Sequence, residues 1–264
     1  MTVRIEKAGL VWTVIHSRPE ARNAMDPASA AALQAAFPEF DRDAEAAVAV
    51  LWGEGGAFCA GFDLKHAAGN CSALEGLAYR EDGPGGLARG PMGPTRLELD
   101  KPVIAAVAGP AVAGGLEVAL WCDLRVLEES AYFGVYCRRW GVPLVDGGTV
   151  RRPRIVGRGR ALDLVLTGRK VDAAEALRIG LCERVVPDGR SREAAEELAR
   201  EIARFPQACM RADRRSVYRQ EGLPLGEAMR YEWDNGVQAF FAEGAAGAAR
   251  FASGKGRGGS FGDL

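Results

Sequence analysis

Apolar residues in the first half of the chain fall into short, nearly unbroken runs separated by polar or glycine-rich stretches. Residues 3–5 and 10–16 are rich in β-branched side chains, with Lys7-Ala8-Gly9 between them, and predict two strands joined by a tight turn. Asp26-Pro27 has the form of an N-cap followed by proline at the first helical position, so residues 28–44, rich in Ala, Leu and Phe, predict a helix. Residues 47–52 (AVAVLW) and 102–107 are continuous apolar runs, the pattern of strands buried on both faces. Residues 115–122 predict a helix and 124–127 a further strand. Beyond Thr149 the period lengthens to three and four residues. Segments 160–167, 173–179, 192–203, 207–218 and 225–242 predict helices, punctuated by Gly168, Gly180 and Pro206. Strand-helix alternation followed by a helical third implies an α/β core, here 1–200, with a helical C-terminal region, 201–264. Residues 69–93 carry Gly69-Asn70 and Gly83-Pro84-Gly85-Gly86 and read as a loop flanking a pocket; the glycine-rich tail 254–262 reads as frayed.

Composition narrows the class. The chain has 264 residues, is 48% hydrophobic and 26% charged, and carries a formal net charge of -1. Disorder is not indicated, and no global basic field draws it to nucleic acid or an acidic membrane. Arg151-Arg152-Pro153-Arg154, Arg158-Gly159-Arg160 and the stretch 211–219 are locally basic and read as solvated helix faces with a role near acidic groups of a ligand. Six cysteines without a C-x-x-C pair, and two histidines, His16 and His66, argue against a zinc site and for reduced thiols. No apolar run is long enough to span a bilayer, and the charged N-terminus lacks the apolar stretch of a signal peptide. The expectation is a cytoplasmic protein.

Two segments carry candidate chemistry. Residues 55–65 follow a buried strand and are dense in small residues, which lets backbone approach a ligand closely. Residues 108–117 lie between a strand and a helix. The first N–H groups of a helix are unpaired and carry partial positive charge, so they can stabilise an oxyanion. Glu117 falls in the first turn, either facing that site or complementing the helix dipole. No G-x-G-x-x-G follows a predicted strand, no G-x-S-x-G forms a strand-to-helix elbow, and G-x-x-x-x-G-K-[ST] is absent.

FCAGFDLK (58–65), AVAGPAVAGGLEVALWCD (106–123) and GRGRALDLVLTGRKVDAAEALRIGLCERVVP (157–187), in that order, resemble the crotonase family, the enoyl-CoA hydratase/isomerase superfamily. The likeness runs from the opening strands to EGAAGAARFASGKGR (243–257). It implies a spiral of ββα units with C-terminal helices that mediate trimers, often paired into hexamers. It implies an acyl-CoA thioester as substrate, with no metal or other cofactor. Phe62 and Gly114 match the residues whose N–H groups form the oxyanion hole. Arg22 and Ala24, with Ala60, Asp63, Leu64 and Lys65, match the coenzyme A side. Glu117 matches one of the two glutamates of the hydratases. Cys137, in Phe133-Gly134-Val135-Tyr136-Cys137, stands where the second would be, either donating a proton or filling space. Asp146, in Val145-Asp146-Gly147-Gly148, matches a position that is acidic in dienoyl-CoA isomerase-like and dehalogenase-like members. The implied acid/base pair is Glu117 and Asp146, with Asp146 as a turn cap the alternative. Cys137 and Trp140 are candidate pocket residues. The implied activity is hydration of 2-enoyl-CoA thioesters. Double-bond isomerisation, nucleophilic attack by Asp146 and a silent acyl-CoA binder are the alternatives.

Overall fold

A computed structural model describes residues 2–68, 77–79, 89–256 and 258. The chain divides into two compact units, Met1–Ala199 and Arg200–Leu264.

The first unit is built on a six-stranded sheet. The N-terminal run forms β1 (Val3–Ala8) and β2 (Val11–His16), an antiparallel pair in which Val3 faces His16. Parallel strands then add outward from β2: β3 (Val48–Gly53), β4 (Val103–Val107), β6 (Leu124–Glu128) and β9 (Arg184–Val186). All six residues of β2 and all five of β4 are buried, and β4 accordingly reads as an unbroken apolar run. Helix α1 (Pro27–Arg42) starts as its sequence dictates, with the Asp26 side chain accepting from the Ser29 N–H at 2.7 Å and proline at the first position. Its Leu33, Phe37 and Phe40 recur at helical spacing and are buried. Phe40 packs on Trp12, and Phe37 meets Trp121 edge-on with ring centroids 4.7 Å apart.

A second, three-stranded sheet positions the chemistry. It is made of β5 (Pro110–Val112), β7 (Tyr132–Gly134) and β8 (Lys170–Asp172), with β5 parallel to β7 and β8 antiparallel to it. Between β5 and β6 runs α3 (Gly114–Trp121), buried at every one of its residues. After β7 come a 3-10 turn over Tyr136–Trp140 and α4 (Gly148–Val156), then α5 (Arg158–Thr167), α6 (Ala173–Ile179) and α7 (Ser191–Ala203). A short α2 (Leu64–Ala68) follows the first small-residue segment.

In the second unit, α8 (Gln207–Arg219) and α9 (Leu225–Ala239) are pinned by Asn235, which donates to Ala212 O and Ser216 Oγ and accepts from Arg215 Nε. The helix expected over 225–242 ends as α-helix at Ala239, continues as a π-helical turn Phe240–Gly244 and resumes as α10 (Ala245–Ala252). Most of 69–93 and most of 254–262 lie outside the described residues.

Candidate active site

Main-chain hydrogen bonds bring the two small-residue segments side by side. Cys59 pairs in parallel with Ala111: the Cys59 N–H donates to Pro110 O at 3.0 Å, and the Val112 N–H donates to Cys59 O at 3.1 Å. Beyond this bridge both chains turn through left-handed backbone. Gly61 has φ +98 and sits so close to the second segment that a Cβ there would lie 3.0 Å from Val112 O and 3.3 Å from Gly114 N. Ala113 adopts φ 54, ψ -123, a strained conformation for a residue with a Cβ, immediately before α3. The Ala113 N–H is tied to Gly134 O at 2.8 Å, and on the other side the Met25 N–H donates to Gly61 O and the Asp63 N–H to Met25 O. Among the described residues, the Phe62 and Gly114 N–H groups have no such acceptor. Two unengaged amides on adjacent turns, one of them opening a helix, suit an oxyanion.

Glu117 lies one turn into α3 and is 2% exposed. Its Oε1 accepts from the Asp146 N–H at 2.9 Å and the Gly148 N–H at 2.8 Å. Burial, and then the Asp146 charge, push its pKa up to about 7; the two N–H groups and Arg152 pull the other way. With Oε1 saturated by donors, Oε2 is the oxygen left to carry and exchange the proton.

Asp146 is 3% exposed and bears on the same centre. Its Oδ1 accepts from the Thr95 hydroxyl and from the Met92 N–H at 3.2 Å. Burial raises its pKa against these bonds and against Arg96 and Arg151. Asp146 therefore ties down the 92–95 turn and also touches Glu117 through its own N–H. Cys137, on the 3-10 turn, is buried, and burial followed by the Glu117 charge pushes its thiol up. Trp140 is 68% exposed.

Of the residues matched in the sequence to the coenzyme A side, Arg22 is exposed, with φ 50, and its carbonyl accepts from the Ala60 N–H. Ala24 and Ala60 are half-buried, and Leu64 and Lys65 are exposed on α2. The Asp63 carboxylate is engaged within the fold: it accepts from the Lys65 and His66 N–H groups and pairs with Arg18 at 3.1 Å.

The profile of the enoyl-CoA hydratase/isomerase family matches residues 6–252. The chain belongs to that family. An enoyl-CoA hydratase of Mycobacterium tuberculosis is 36% identical over 248 residues, covering 91% of this chain and 89% of that protein. A carnitinyl-CoA dehydratase of Salmonella typhi is 37% identical over 234 residues, covering 87% and 85%. Among solved structures, an enoyl-CoA hydratase from Mycobacterium marinum superimposes with a TM-score of 0.86 at 30% identity, covering 96% of each chain. The α/β core with its helical C-terminal region is thus the crotonase fold of this enoyl-CoA hydratase/isomerase family.

Several residues at this family site carry no signal in the sequence. Asn23 is fully buried and laces two loops together, its Nδ2 donating to Glu54 O and Ala57 O and its Oδ1 accepting from Arg18 N. Thr95 and Met92 hold Asp146. The solvated-face reading of the 151–154 stretch is corrected at two positions. Arg151 is turned inward, donating to Asp146 O and Thr95 O, and Arg152 is 0% exposed. Both follow from Gly148: at helical spacing the positions three and four residues on share its face of α4, and that face meets Glu117. Among the described residues, no group of three or more His, Cys, Asp or Glu is placed to hold a metal ion, and no helix is long and apolar enough to cross a membrane.

Proposed function

We propose that this enzyme hydrates 2-enoyl-CoA thioesters reversibly, with Glu117 and Asp146 moving the protons and the Phe62 and Gly114 amides holding the thioester oxygen. The observation that carries the reading is Glu117, buried, poised at about pH 7 and one helical turn from the unengaged Gly114 N–H. Ionised Asp146 accepts a proton from water as the water oxygen bonds to C3. The C2–C3 π electrons move toward C1, and negative charge gathers on the thioester oxygen. Each amide there is worth about 3–4 kcal/mol, by comparison with other oxyanion holes. Neutral Glu117 delivers its proton to C2, and the carbonyl reforms. Exchange of the Asp146 proton back to Glu117 through solvent closes the cycle. Two acids in one apolar setting with different hydrogen-bond partners suit opposite protonation states. Arg22, Ala24, Ala60, Leu64 and Lys65 are proposed to contact coenzyme A, with Asp63 shaping that segment.

The test is loss of the conjugated thioester absorbance of crotonyl-CoA. Turnover should fall by orders of magnitude in Glu117→Gln and Asp146→Asn, with folding intact. Normal turnover by Asp146→Asn would assign that residue to the 92–95 turn alone. A second reading, isomerisation, is favoured by Cys137, which cannot help two carboxylates grip a water. It predicts fast conversion of a 3-enoyl-CoA or a 3,5-dienoyl-CoA with crotonyl-CoA untouched. Thioester binding without any conversion would make the protein a silent binder. The thioester is the substrate, and the mechanism calls on no other cofactor. We also propose a trimer or a dimer of trimers in the cytoplasm. Large apolar side chains exposed on the C-terminal helices, among them Leu225, Trp233 and Phe241, support the assembly, and the free thiols among the described residues support the compartment.

A further inference from the structure

Arg152 presents an unbalanced charge beside the acid pair. Its side chain is fully buried, and among the described residues all three guanidinium nitrogens, Nε, Nη1 and Nη2, lack a hydrogen-bond partner. Buried polar groups are paired almost without exception, and a buried cation is the most costly kind to leave unpaired. Its position is set by α4. Gly148, one turn earlier on the same face, packs so tightly on Glu117 that a Cβ there would lie 2.9 Å from Glu117 Cγ and Oε1. The acidic groups that Arg152 senses are Glu117 and Cys137. Neither accepts a hydrogen bond from it: Glu117 Oε1 is taken by two backbone amides, and Cys137 is held toward its neutral thiol. With Glu117 protonated, the cation faces the site without an anion.

We propose that Arg152 is a specificity residue that receives a carboxylate carried on the far end of the acyl chain, so that the preferred substrate is the mono-CoA thioester of an unsaturated dicarboxylic acid. This rests on the acyl-CoA reading above. A fully buried guanidinium behind Glu117 is reached by a group delivered on the acyl chain. The phosphates of coenzyme A belong with the exposed Arg22 and Lys65. The planar fork of an arginine matches a carboxylate in a bidentate pair, and burial strengthens that pair. An apolar acyl end would leave the cation as unpaired as it is without substrate, so chain-end chemistry becomes a source of discrimination.

The experiment is calorimetric binding of four unreactive saturated thioesters to the full-length protein: glutaryl-CoA against pentanoyl-CoA, and adipyl-CoA against hexanoyl-CoA. The wild type should bind at least one carboxylate-bearing thioester about 10- to 100-fold more tightly than its uncharged counterpart. Arg152→Leu should abolish that preference while keeping or improving affinity for the uncharged pair. Arg152→Lys, which retains a charge but not the fork, should retain part of the preference and guards against a folding failure of the leucine variant. Equal affinities within both wild-type pairs, or a preference that survives in Arg152→Leu, would overturn the assignment while leaving the acyl-CoA reading standing. Failure of all four thioesters and of free coenzyme A to bind would overturn both.

Discussion

Replacing Glu117 by glutamine should make the protein more stable as it makes it inactive, and the gain should depend on pH. In the folded chain the Glu117 carboxyl ionises at about 7, against 4.5 when unrestrained. Each tenfold displacement of that equilibrium is worth about 1.4 kcal/mol, so ionised Glu117 opposes folding by about 3 kcal/mol above pH 7. Between 4.5 and 7 the folded state binds the proton and the unfolded chain does not. Stability therefore falls as pH rises through that window and is level above it. The attraction of Arg152 is already contained in the value. Glutamine keeps an oxygen for the Asp146 and Gly148 amides and does not titrate. Urea unfolding of both proteins at a single concentration, at pH 5, 6, 7 and 8, isolates the effect, because every other titrating group is shared. The variant should match the wild type at pH 5 within about 1 kcal/mol and exceed it by up to about 3 kcal/mol at pH 8. A difference that stays constant with pH would show that burial does not hold Glu117 in its neutral form, and the proposed proton chemistry would lose its basis.

Other substitutions probe the frame around the acids. In Gly115→Ala the new methyl carbon would lie 2.1 Å from Cys59 O, so the two segments must part. A loss of about 1–3 kcal/mol in stability is expected, with a larger proportional loss in kcat than in KM for the enoyl thioester; thermal melts and initial rates unchanged from wild type would contradict it. Asn23→Ala removes the side chain that joins Arg18, Glu54 and Ala57 from a residue at φ 54. It should cost about 1–3 kcal/mol in urea unfolding, and a change below about 0.5 kcal/mol would mean that water takes over those bonds.

The hydrophobic pattern made β1 to β4, β6 and α1 legible because their signals are long: strands of apolar and β-branched residues, and a capped helix with Leu33, Phe37 and Phe40 on one face; β9, three residues none of which is buried, was not read. The second sheet was not legible. Strands β5, β7 and β8 have three residues each, too few to display a period of two, and they form only because distant segments meet. Helix α4 was obscured by Pro153 and its three arginines, which look solvated until the fold buries Arg152. Glu117 and Asp146 were visible as motif residues, through likeness to a family. Their contact, across 29 positions of sequence, was not, because it joins the Glu117 carboxylate to the backbone amide of Asp146 rather than to its side chain.

The Cys59–Ala111 bridge sets the distance between the Phe62 and Gly114 amides with main-chain bonds alone. In the proposed reaction, atoms common to every amino acid hold the electrophile's oxygen, whereas the groups proposed to move protons or read the acyl end are side chains on α3, α4 and the turns after β7. Substitution at Glu117, Cys137, Asp146 or Arg152 can therefore change what is done to an activated thioester without disturbing its activation. One scaffold of this construction can be retuned between reactions by a handful of codons.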